Sequence, residues 1–173
     1  MSQNLDAIIN EVGFEIANIL DENLINKLLG VLANDGVYAM WVYSIEKIKI
    51  EFSEDENDLK DKTFFRFYNL IYLMDRYITN KLNIKDILKK ISELTKEIND
   101  LEKNKKSEKD KNKLKKIQNE INEKSNNRMK IINNYFYELS KDLHQLLFFK
   151  EMLEKALIYA RYHAKALKDE NNE

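Results

Sequence analysis

The sequence predicts an all-α protein, a helical bundle with a protruding antiparallel coiled-coil hairpin, and three observations lead there. The 173 residues contain no proline and only three glycines, Gly13, Gly30 and Gly36. Tight turns between strands favour those two residue types, and helices are broken by them. Apolar residues recur at helical spacing along most of the chain. Charge and aromatic content also separate along it. Residues 81–130 carry 16 Lys and Arg against 9 Asp and Glu, a net of +7, and the remainder carries −8. Every aromatic ring lies outside residues 78–134. One regime is basic and ring-free, the other acidic and ring-rich.

The elements follow in order. Leu5, Ile8, Ile9, Val12, Ile16, Ile19 and Leu20 predict a first helix over about 3–20. Asp21 and Asn23 offer caps for a second, carrying Leu24, Ile25, Leu28, Leu29 and Leu32. Asn34-Asp35-Gly36 is the clearest turn signal. Val37, Met40, Trp41, Ser44, Ile45 and Ile48 line a third helix. Residues 53–61 read as a polar acidic loop. Thr63 opens a fourth helix to about 81, with Phe64, Phe67, Tyr68, Ile71 and Ile78 on a broad apolar face.

The texture then changes. Ile87, Ile91, Leu94, Ile98 and Leu101 are spaced 4, 3, 4, 3, a heptad seam. Residues 103–113 contain no apolar residue, and Leu114, Ile117 and Ile121 resume the seam. A fold-back pairs Leu101 with Leu114, Ile98 with Ile117, Leu94 with Ile121, Ile87 with Arg128 and Ile84 with Ile131, each pair summing to 215. A single straight helix would leave the seam exposed unless a second chain covered it. The return limb continues as helix to about 168; a break near Lys141-Asp142 is compatible with the pattern, though no glycine or proline forces one. The expected organisation is one domain over 1–173: a body of 1–81 and 132–168, a coiled-coil arm of 82–131, and a frayed tail of 169–173.

Much chemistry is disfavoured. There is no cysteine, so neither a disulfide framework nor a thiolate metal site is expected. His144 and His163 are scattered and lack the ExxH pattern of carboxylate-bridged metal bundles, so no metal and no cofactor is expected. Ser44 and Ser140 have no base on their face for a hydrolytic triad. No Gly-rich phosphate loop exists, and Glu54-Asp55-Glu56-Asn57-Asp58 lacks calcium-loop spacing. No enzyme and no small-molecule substrate is expected. No signal peptide and no apolar run of membrane-spanning length is visible, so the expected location is the cytoplasm, away from membranes.

Two basic features remain. Lys103, Lys105, Lys106, Lys109, Lys111, Lys113, Lys115 and Lys116 surround only Glu108 and Asp110 at the arm tip. Such a loop suits a phosphate backbone, or simply keeps the tip soluble. Arg161, Lys165 and Lys168 form one helix face with Tyr162 beside it. That face suits a phosphate backbone with a ring against base or sugar, or the favourable placement of cations at a helix C-terminus. Arg66 and Arg76 lie on the fourth helix without forming one patch.

The stretch LLGVLANDGVYAMWVYSIEK resembles the helix–Asn-x-Gly–helix element of small helical subunits of type III CRISPR effector complexes. EKALIYARYHAKAL resembles their closing helix, and FFRFYNLIY is similar to an arginine–tyrosine helix in the related branch. The resemblance covers about 45 residues, and the segment 82–130 departs from the compact family pattern. It implies a non-catalytic antiviral-defence subunit that stacks along a guide–target RNA duplex and touches its backbone and the neighbouring subunits. Carried over by position, the contacts are Arg66, Arg161 and Lys165, to which the residue reading adds Lys168, Lys105, Lys106, Lys109, Lys111 and Lys113. The alternative is a coiled-coil interaction or scaffold module that recruits a partner helix or self-associates without binding nucleic acid.

Overall fold

The computed structural model describes residues 4–170, and among them it contains eight helices and no strand. They are α1 Leu5–Ile19, α2 Glu22–Asp35, α3 Val37–Ile48, α4 Glu56–Asp61, α5 Thr63–Asp75, α6 Ile84–Ser107, α7 Lys111–Leu139 and α8 Leu143–Glu170. The chain divides into two compact units. One runs through Ile50, takes in Thr63–Leu82 and resumes from Phe136; the other comprises Glu51–Lys62 and Asn83–Tyr135. The acidic segment read as a loop of the body therefore groups with the arm helices.

In the first unit the helix starts follow ordinary capping. Asn4 accepts from the Asp6 N–H at 3.2 Å, and Asp21 accepts from the Leu24 N–H at 2.8 Å. Gly36 ends α2 and opens α3 at φ +90°, a conformation that costs glycine little and other residues more. Gly13 has a different role. A Cβ there would lie 2.7 Å from the Ala156 carbonyl oxygen and 2.8 Å from the Tyr159 Cβ, so α1 and α8 touch backbone to backbone. The core is aromatic: Trp41, Phe64, Phe65, Phe67, Tyr68, Phe136 and Phe149 are fully buried. Burial, reinforced by the nearby Asp75 carboxylate, raises the Tyr68 hydroxyl well above its usual range and keeps it protonated.

The fourth predicted helix ends six residues early. Asp75, itself buried, terminates α5 by turning its carboxylate on the chain that follows. It accepts from the Thr79 N–H at 3.3 Å, the Thr79 hydroxyl at 2.5 Å, the Lys81 N–H at 3.0 Å and the Leu82 N–H at 2.9 Å. Those donors are satisfied outside a helix, so the apolar spacing out to Ile78 does not prolong it. The break before α8 falls at Ser140–Asp142, the expected place. Helix α8 continues through Glu170 rather than fraying from 169; residues 171–173 of the expected tail, like Gln3 of the first helix, lie outside the described residues.

The second unit corrects two readings. Residues 56–61 are helical, because Asp55 caps them through the N–H groups of Asn57 at 2.8 Å and Asp58 at 2.9 Å. Leu59 is fully buried as α4 packs on α6, and the Asn99 amide donates to Glu54 at 2.6 Å. Helices α6 and α7 run antiparallel where three bonds join them: Lys105 to Gln118 at 2.6 Å, Lys124 to Glu97 at 2.7 Å, and Arg128 to Thr95 at 2.9 Å. These partners sum to 221–223, one heptad beyond the expected 215. A heptad seam repeats every seven residues, so it does not distinguish registers one repeat apart. The cross-helix bonds fix the second of these, on either side of a reversal at residues 108–110. Arg128 consequently meets Thr95 rather than Ile87.

Candidate nucleic-acid interface

The reversal between α6 and α7 organises the first cluster. Glu108 accepts from the backbone N–H groups of Asp110 at 2.9 Å and Lys109 at 2.8 Å, and these bonds hold its carboxyl below the ordinary 4.5. Asp110 accepts from the Asn112 N–H at 2.8 Å and caps α7. The acids of the turn are thus directed at backbone donors. Lys106, Lys109, Lys111 and Lys113 are exposed and form no ion pair among the described residues. Lys115 and Lys116 are exposed in the same way. Two of the predicted lysines are committed elsewhere. Lys105 is half-buried on Gln118, and Lys103 pairs with Asp100 at 3.2 Å.

The second cluster lies on α8, which runs antiparallel to α2. Lys168 reaches Glu22 near one end of α2 at 3.7 Å, and Lys150 lies 3.5 Å from the Ala33 carbonyl near the other. Arg161 is half-buried, with its guanidinium 5.3 Å from the Tyr162 ring centre and its Nε buried without a hydrogen-bond partner. Lys165 is exposed and Tyr162 is 59% exposed. The face therefore joins one cation paired in the fold, one half-covered and one open. His163 packs edge-on to Phe14 at 5.3 Å, with Nε2 3.2 Å from the Asn10 side-chain oxygen.

Arg66 is exposed on α5. No hydrogen bond, ion pair or ring contact among the described residues joins it to Arg161 or Lys165. Arg76 donates to the Tyr72 hydroxyl oxygen at 3.3 Å, and its guanidinium lies 5.2 Å from the centre of the same ring.

Sequence reasoning missed a further cation. The Arg128 guanidinium lies 3.4 Å from the Phe52 ring centre, its Nε is buried and unpartnered, and desolvation lowers its pKa. The signal was present, since Arg128 stands in the seam where an apolar residue was wanted. No group of three or more His, Cys, Asp or Glu among the described residues could hold a metal, and no helix among them is long and apolar enough to cross a membrane. The family models, the curated proteins and the solved structures contain no match to this chain.

Proposed function

We propose that this chain is a non-catalytic small subunit of a type III CRISPR RNA-guided interference complex, working in the cytoplasm. In this reading it contacts the backbone of guide or target RNA and packs against neighbouring subunits. The supporting observation is the set of exposed lysines at the α6–α7 reversal, Lys106, Lys109, Lys111 and Lys113, which form no ion pair among the described residues; the neighbouring acids accept from backbone N–H groups, and Glu108 also attracts Lys113. Phosphates attract such cations without regard to base sequence. Arg161 and Lys165, with Tyr162 beside them, form the second contact, and Arg66 the third.

RNA binding by the assembled complex tests this. If four lysines neutralise four phosphates of a single strand, log K falls against log salt with a slope of about −3. Substituting Lys106, Lys109, Lys111 and Lys113 by alanine makes the complex's slope shallower by about 3, the remaining contacts keeping their share. RNA affinity that ignores salt refutes the reading. The second reading, a coiled-coil scaffold module, is favoured by the bonds that tie α6 to α7. Photocrosslinking from position 109 separates the two, since RNA adducts support the first and protein adducts the second.

A further inference from the structure

The α6–α7 pair leaves an apolar line half covered. Ile91 and Ile98 are buried, whereas Ile87, Leu94 and Leu101, seven residues apart, are only half-buried. Beside Leu94 a groove of about 490 Å³ runs between the two helices. Leu94 and Ile131 give it apolar lining, and Lys90, Lys130, Glu93 and Glu97 give it charge.

Those charges are ordered. The cross-helix register sets Lys130 level with residues 91–93 of α6. Along the groove the sequence is therefore Lys90, Lys130, Glu93, Leu94, Glu97, basic at one end and acidic at the other. Lys90 and Glu97 are about 10 Å apart at 1.5 Å per residue. Lys90, Lys130 and Glu93 form no ion pair among the described residues. Glu97 gives one oxygen to Lys124 and is half exposed, leaving the other oxygen available.

A groove with this polarity complements its own reverse. We propose that a second copy of this chain docks here, antiparallel, across a two-fold axis beside Leu94. The symmetry sets Lys90 of each copy against Glu97 of the other and brings the two Leu94 side chains together. A parallel arrangement would oppose Lys90 with Lys90 and Glu97 with Glu97, which like charge disfavours. The product is a four-helix assembly of α6, α7 and their symmetry mates, with Leu94 and Ile131 facing its interior. It does not depend on the RNA reading.

Sedimentation equilibrium of the full chain at low salt, across the micromolar range, tests it. The wild type gives the mass of two chains. Lys90→Glu and Glu97→Lys each sediment as monomers, with dissociation constants raised about tenfold or more. An equal mixture of the two variants restores the dimer. In the mixed pair the two introduced charges, opposite in sign, face each other, and the native Glu97 of the first variant faces the native Lys90 of the second. Lys90 is exposed and unpaired among the described residues, so its substitution is expected to leave the fold intact, and circular dichroism checks that. A wild type that stays monomeric overturns the proposal. So does a dimer that Lys90→Glu leaves unchanged, or a mixture that stays monomeric.

Discussion

The rings of Trp41 and Phe136 stack with centroids 4.2 Å apart and planes 20° apart. Trp41 stands on α3 and Phe136 near the end of α7, so this contact ties residues far apart in sequence. Phe136 also meets Phe149 of α8 edge-on at 5.7 Å, and Trp41 meets Phe64 and Tyr68 of α5 at 5.6 and 5.5 Å. Four helices converge on two side chains. Phe136→Ala leaves a cavity at that junction and is expected to cost about 3–5 kcal/mol. Phe136→Leu, which refills part of the volume, costs less. Urea denaturation of the two variants checks the order, and equal losses would show that refilled volume does not help and that the ring itself is required.

The three glycines are expected to respond to alanine with different signs. At Gly13 the new methyl meets the Ala156 carbonyl oxygen and the Tyr159 Cβ, so α1 must move off α8, at about 1–3 kcal/mol. At Gly30, inside α2, nothing lies within 4 Å, and alanine is the better helix former by about 0.5–1 kcal/mol. At Gly36 the space is open but φ is +90°, so alanine is strained and destabilising by about 1 kcal/mol. Thermal melts of the three variants should rank Gly30→Ala above wild type and the other two below it.

Asp75→Ala removes the acceptor for four donors at once. Thr79 can turn to solvent, but the Leu82 N–H bond is buried. Loss of one bond to a charged acceptor costs about 1.5–3 kcal/mol. The turn after α5 should loosen first. Hydrogen exchange at the Lys81 and Leu82 amides is expected to accelerate more than exchange in α1, and uniform acceleration would reassign Asp75 to a general packing role.

How far the fold was legible follows from these same residues. Periodicity covered every helix of the described residues but α4, running α7 and α8 together, because each buries a stripe wide enough to recur several times. Helix α4 escaped because six residues hold one buried residue, Leu59, and one contact has no period. Asp55 followed by Asp58 was the available signal, a cap rather than a pattern. The end of α5 escaped for a related reason. Asp75 acts through hydrogen bonds to residues four to seven positions on, which hydrophobic spacing does not register. The α6–α7 register was ambiguous by one repeat, and only side-chain bonds formed on folding, such as Lys124 to Glu97 and Arg128 to Thr95, resolve it. Of the candidate site, exposure at Lys109 and Lys111 could be anticipated from composition. The engagement of Lys105 by Gln118 and of Lys168 by Glu22 depends on neighbours brought in by folding.

Arg128 carries a charge that the fold does not pair with a carboxylate among the described residues. Its contributions are contact with Phe52 and one bond to Thr95, against the cost of a buried, unpartnered Nε. Arg128→Met keeps the long apolar stem over the ring and removes the desolvated charge. It is expected to stay within about 1 kcal/mol of wild type. Arg128→Ala loses the packing as well and should cost about 1–3 kcal/mol. Denaturant midpoints compare them, and a methionine variant as unstable as the alanine one would mean that the charge itself is required.

The reversal that presents the lysines should be sensitive to acid. Backbone N–H groups of Asp110 and Lys109 favour the Glu108 carboxylate over the carboxylic acid, so its folded pKa lies below the ordinary 4.5. A lowered carboxyl pKa means that the contact contributes fully above pH 4.5 and is lost as pH falls through the folded value. Amide chemical shifts of Lys109 and Asp110, followed by NMR, should therefore titrate with a midpoint below 4.5. Glu108→Gln should remove the Glu108 contribution to that titration, most clearly at the Lys109 amide, and speed amide exchange at both positions, while α8 is unaffected. A midpoint at or above 4.5 would show that the carboxylate does not hold the turn, and that the lysines around it are arranged by the two helices alone.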